Sequence, residues 1–184
     1  MTYKTHLTAG LLFSSVYFLE VRPDDLSFLI ILTAIFSTVI GSSAPDMDTP
    51  SGRLWKKIPA GTILARILKP VFIGGHRHLS HSLIGIAIFS GIFYLLLRLL
   101  LSGYPELIDA AIIAFLVGYT VHLLADLFTE EGIPLLFPLG FRFGIPPTPF
   151  DRVRIKTGQW FENLIIYPAL NLVLLYVILK NIFK

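Results

Sequence analysis

Residues 26–44 read LSFLIILTAIFSTVIGSSA, a stretch without a single charge. Crossing a bilayer takes about 20 mostly apolar residues, with roughly 17–25 tolerated. Inside hydrocarbon the backbone must satisfy its own hydrogen bonds, so such a run spans as a helix. Comparable runs lie at about 5–21, 82–101, 108–128 and 162–182, the first of them short. Arg98 sits near the end of the third run, where its side chain reaches headgroups. The fourth carries His122 and Asp126 near its C-terminal end. Composition agrees: 54% of residues are apolar and 15% charged, against about 25% charged in soluble domains. The expected fold is all-α, a polytopic membrane bundle of about five transmembrane helices forming one domain over residues 1–184. The N-terminal run has a positive start, as a signal peptide would, but ends in Glu20-Val21-Arg22-Pro23 without a small-x-small cleavage site. It reads as a retained first helix.

Loop charges give an orientation. Residues 45–81 carry Arg53, Lys56, Lys57, Arg66, Lys69 and Arg77, and residues 129–161 carry Arg142, Arg152, Arg154 and Lys156. The intervening connections hold Glu20, Asp24 and Asp25 against Arg22, and Glu106 and Asp109 with no base. The N-terminus and both long loops are therefore expected in the cytoplasm, with Lys180 and Lys184 outside, against the rule. Residues 53–72 suit a broken amphipathic segment at the headgroups or a solvated basic loop. FPLGFRFGIPPTPF (137–150) is expected to be irregular backbone close to the membrane.

With no cysteine, disulfides and thiolate metal sites are excluded. The ionisable residues beside the apolar runs are therefore histidines and aspartates. His6 opens the first helix, and Asp46 and Asp48 follow the second in APDMDTP. His76, His78 and His81 precede the third in GHRHLSHS, with Ser80 or Ser82 as its N-cap. His122 and Asp126 end the fourth. An alternating topology puts all four places on one side, the side that the charge rule makes cytoplasmic.

Taken singly, Asp-x-Asp is commonly a turn, and a histidine near a helix end is commonly a cap. His122 and Asp126 are different. Ionisable residues inside a membrane helix are costly and functional by default, and a spacing of four puts both on one face. All five histidines and three carboxylates on one side of the membrane point to a metal site, with His78 its weakest member. Nitrogen and oxygen donors without sulfur fit zinc, manganese or iron. The donors outnumber the three typical of one catalytic zinc, which favours two or more ions.

These elements resemble the YdjM-like family of inner-membrane metal-dependent hydrolases: Thr5-His6, PDMD (45–48), HRHLSHS (76–82), HLLADLFTEEG (122–132) and IKTGQWFE (155–162). That family is similar in turn to the zinc-dependent phospholipase C and nuclease superfamily. The resemblance implies a helical site with a polynuclear zinc centre that hydrolyses phosphate esters. It implies His6, Asp46, His76, His81, His122 and Asp126 as ligands, with Asp48 a further ligand or a base.

The function expected is phosphoester hydrolysis by metal-activated water at the cytoplasmic face, on a lipid or another small-molecule substrate. Arg77 would stabilise developing charge or contact a headgroup. The alternatives are a divalent-metal transporter or sensor, which calls for polar residues near the midplane, and a structural metal site with a closed ligand set. H-E-x-x-H and G-x-S-x-G are both missing from the sequence. A nucleic-acid partner is not expected, because the basic residues have no fold context beyond a membrane-facing loop.

Overall fold

The computed structural model describes residues 1–21, 27–48, 63 and 78–183. Helices form at all five expected places: α1 (Tyr3–Val16, continued by a π-turn over Tyr17–Val21), α2 (Phe28–Ser43), α3 (Leu83–Leu100), α4 (Pro105–Leu127) and α5 (Tyr167–Ile182, led by a π-turn over Glu162–Ile166). Among the described residues only two isolated bridges, Thr129 with Ile155 and Ile133 with Phe143, have β character. Three helices are long and apolar enough to cross a membrane, Leu83–Leu100, Pro105–Leu127 and Glu162–Ile182. With 16 residues, α2 is shorter; at about 1.5 Å per residue it measures roughly 24 Å, less than the usual hydrocarbon thickness of about 30 Å. Residues 129–161 are mostly irregular, as the prolines and glycines of 137–150 led one to expect.

Local sequence sets the helix ends. Ser27 Oγ accepts from Ile30 N at 3.2 Å, and Ser82 Oγ accepts from Gly85 N at 3.1 Å. Ser82, not Ser80, is therefore the N-cap of α3. Pro45 follows α2 and opens a short 3-10 turn, Pro45–Asp48, that turns Asp46 across the end of the bundle.

Between membrane helices the driving force is close packing rather than expulsion of water, so small residues mark the contacts. The most extensive contact is α2 on α4, with α1 across both and against α5. At the α2–α4 crossing a Cβ on Gly41 would lie 2.2 Å from the Phe115 carbonyl oxygen, and one on Gly118 2.6 Å from that of Thr38. Only glycine lets these backbones meet. Thr38 Oγ1 donates to Ser14 Oγ at 2.8 Å, a buried bond between α2 and α1. Ala44, Phe115, Tyr119, Leu123 and Ile133 form the core beside the polar residues.

Candidate metal centre

Four elements deliver the polar side chains to one place. His6 comes from the first turn of α1, Asp46 from the turn after α2, His81 from the 3-10 turn Leu79–His81 ahead of α3, and His122 and Asp126 from the last turns of α4. His122 Nε2 lies 3.7 Å from Asp126 Oδ2 and 3.7 Å from Asp46 Oδ1. His81 Nε2 lies 3.6 Å from Asp126 Oδ2 and 3.9 Å from Asp46 Oδ1. His6 Nε2 sits on the opposite oxygen, 3.2 Å from Asp126 Oδ1, which the terminal ammonium of Met1 also contacts. Two overlapping triplets result, His6–His122–Asp126 and Asp46–His81–His122, with donor atoms within 4.8 Å of one another in each.

The surroundings fix these rings. His122 Nδ1 is 2.8 Å from the Ser42 carbonyl oxygen. A carbonyl only accepts, so Nδ1 carries the proton and Nε2 keeps its lone pair toward the two aspartates. Metal-binding histidines are commonly held in this way. The His81 turn is tied down by Tyr119, whose hydroxyl donates to the Ser80 carbonyl at 2.6 Å. Ser80 Oγ lies 3.1 Å from His81 Nδ1. The rings of His6 and His122 stack with centroids 3.6 Å apart and planes 7° from parallel.

The residues fit a metal. His122 Nε2, the atom facing both aspartates, is buried with no hydrogen-bond partner among the described residues, and a buried polar atom left so costs about 1–3 kcal/mol. A cation held by the histidines and aspartates offsets that cost and neutralises the carboxylates. The imidazole–carboxylate set matches zinc, manganese or iron. His6, His81, His122 and Asp126 are closed off from solvent, whereas the Asp46 side chain is 34% exposed, so the cluster opens on one side. A groove of about 380 Å³ at another part of the bundle, lined by Leu11, Phe18, Ile31, Ile35, Ile178 and Ile182, includes none of these donors.

Of the seven residues expected as ligands, His6, Asp46, His81, His122 and Asp126 lie within the two triplets. His76, Arg77 and the Asp48 side chain lie outside the described residues, as does most of 53–72. His78 belongs to neither triplet; its ring meets Phe137 edge-on at 6.3 Å. Glu130 and Glu131 are exposed. Ser42 and Tyr119 had no place in the sequence reading, and Glu162 entered it only as the last residue of the IKTGQWFE segment, without a role.

The family model described as YdjM inner membrane protein matches residues 1–183. The chain is 30% identical over 169 residues to the uncharacterized protein YvsG of Bacillus subtilis (strain 168), covering 90% of this chain and 88% of the relative. It is 35% identical over 111 residues to inner membrane protein YdjM of Escherichia coli (strain K12), and equally to that of Shigella flexneri, covering 60% of this chain. The match spans about half the length of those two relatives, 52% of each. No solved structure matches the chain. Matched along nearly its whole length, and with its apolar helices closing over one buried His/Asp cluster, the chain belongs to the YdjM inner membrane protein family.

Proposed function

We propose that this membrane protein is a metal-dependent hydrolase that cleaves a phosphate ester, of a lipid or a membrane-associated substrate, at the cytoplasmic face. One observation carries the reading. Asp126 turns its two oxygens to different histidines, Oδ1 to His6 and Oδ2 to His81 and His122. A carboxylate so placed suits a site for two cations. The stacking of His6 on His122 supports the same count, because stacked rings direct their lone pairs into parallel planes and do not converge on one ion. His122 has a single lone pair to give, which groups it with His81 and Asp46 and leaves His6 with Asp126 Oδ1.

Bound divalent ions would supply Lewis acidity, bringing the pKa of a coordinated water to about 7 and offsetting charge on the phosphoryl oxygens. The chain's own part is to hold and to shape. Ser42 fixes the His122 tautomer, and Tyr119 with Ser80 fixes the His81 turn. Asp46, at the open side, faces an arriving substrate and completes the ligand set. Asp48 is proposed as a further ligand or base, His76 as a further ligand, and Arg77 as a cation for the phosphoryl group. The exposed Arg142, Arg152 and Lys156 lie in the 129–161 segment that follows the Asp126 helix, a segment suited to drawing anionic headgroups toward the site.

A transport path is less well supported, because the middle of α4 buries Ala110, Ala111, Ala114 and Phe115 rather than polar residues. A structural site would close its ligand set, and Asp46 is accessible. The test is hydrolysis of a panel of phosphomonoesters, phosphodiesters and phospholipids by detergent-purified, metal-loaded protein beside His81→Ala. Turnover by wild type that His81→Ala loses is the expected result. No turnover on any member, with unchanged cellular lipids in the variant, would overturn the reading.

A further inference from the structure

We infer that Glu162 is a positioning residue: it grips the first turn of α1 and thereby holds His6 in the cluster. Glu162 is fully buried at the head of the last helix. Its Oε1 accepts from Thr2 N at 2.6 Å, Thr2 Oγ1 at 2.8 Å and Thr5 Oγ1 at 2.6 Å. Its Oε2 accepts from Gly158 N at 2.7 Å. Four donors already engage this buried carboxylate, three on Oε1 and one on Oε2, and it belongs to neither His/Asp triplet. Its work is done on α1.

The route from Glu162 to His6 runs through a few bonds. Thr2, held by both its amide and its hydroxyl, presents its carbonyl to Thr5 N at 3.0 Å and to His6 N at 3.1 Å. That carbonyl closes the turn from which the His6 ring reaches Asp126. Thr5, held by its hydroxyl, is the residue before His6 and is fully buried. The negative charge also sits at the N-terminal end of α1, where the helix dipole favours it. Gly158 has φ +77°, a left-handed conformation that glycine adopts without strain, and so aims its N–H at Oε2. The Thr5-His6 and IKTGQWFE (155–162) segments, 157 residues apart at the Thr5–Glu162 bond, thus form one device. His81 enters from the turn ahead of α3, away from this device.

The consequence for metal affinity rests on the proposed metal site; the positioning of His6 does not. The experiment therefore reads both. Full-length protein in detergent, stripped by chelator, is labelled briefly with diethyl pyrocarbonate, and modification of His6, His81 and His122 is measured by peptide mass spectrometry. Wild type, Glu162→Ala, Glu162→Gln and the milder Thr5→Val are compared. The expected result is at least about a tenfold faster labelling of His6 in Glu162→Ala with His81 as protected as in wild type. Thr5→Val should show a smaller rise. Glu162→Gln should recover most of the protection, because its carbonyl still accepts from Thr2 and Thr5. Unchanged His6 labelling would overturn the inference, as would equal loss of protection at His6 and His81 in both Glu162→Ala and Thr5→Val, the mark of a general fold anchor. In the metal arm, zinc affinity should fall about 10–100-fold in Glu162→Ala, and His6→Ala should remove any further effect of Glu162→Ala. If wild type binds none of zinc, manganese and iron, the metal reading fails, and the labelling still decides the role of Glu162.

Discussion

Helices α3 and α4 look alike to a hydropathy scan and play opposite parts in the molecule. Both are long and apolar enough to cross a membrane, yet 6% of the best window of α3 is buried in the protein against 56% for α4. Helix α3 turns Leu95, Leu96, Leu99 and Leu100 outward. The buried face of α4 includes Ala110, Ala114 and Gly118, small residues that admit α2 closely, and it ends in Tyr119, His122 and Asp126. Apolarity decides that a helix crosses. Small and ionisable residues decide which helix stands in the middle and carries chemistry.

The largest effect is expected from the polar end of α4. His122→Ala removes the imidazole whose Nε2 lies 3.7 Å from both Asp46 Oδ1 and Asp126 Oδ2. Its loss should weaken metal retention by at least about 100-fold, the upper end of what residues that merely support ligands cost, as read by elemental analysis. If metal content stayed at the wild-type level, α4 would be a packing helix and nothing more.

A matched pair of glycines sharpens the contrast. A Cβ at Gly118 on α4 would meet Thr38 O at 2.6 Å and Ser42 N at 2.9 Å, both backbone atoms, whereas one at Gly91 on α3 would meet nothing within 4 Å. Gly118→Val should cost about 3 kcal/mol or more, lowering the unfolding midpoint in detergent, and Gly91→Val should stay within about 0.5 kcal/mol. Equal costs would contradict the central placement of α4.

Tyr119→Phe should have an intermediate effect. It leaves the Ser80 carbonyl without the 2.6 Å bond from the tyrosine hydroxyl, at about 1–3 kcal/mol, and loosens the His81 turn. Stability and zinc affinity should fall together. The smallest effect belongs to Leu99→Ala, at a side chain 79% exposed on α3, where stability in detergent should change by no more than about 0.5 kcal/mol.

The helices were legible because an uncharged run such as 26–44 has few alternatives in lipid, and because Pro45 and Ser82 punctuate their ends. The candidate ligands were legible for a related reason. In a chain so apolar, each histidine or aspartate beside a membrane segment is conspicuous, and alternating topology gathers those of alternate helix ends. What orients the ligands was not legible. The partner of His122 is a backbone carbonyl, at Ser42, a contact 80 residues away in sequence that no side-chain pattern records. Tyr119 reads as one more aromatic in an apolar helix, and its bond to Ser80 also depends on tertiary structure. Glu162 was visible as the last residue of IKTGQWFE, but its four donors come from the opposite end of the chain and from a glycine whose φ only the fold reveals.

The most direct test of the account is elemental analysis of detergent-purified wild-type protein beside Asp126→Asn, a change that keeps the side chain's size and removes its charge. The account predicts about two equivalents of zinc, manganese or iron in wild type, in line with two-ion sites, and near-complete loss in the variant. Wild-type protein that holds no metal under conditions where it stays folded, or an Asp126→Asn variant that holds as much as wild type, would contradict it.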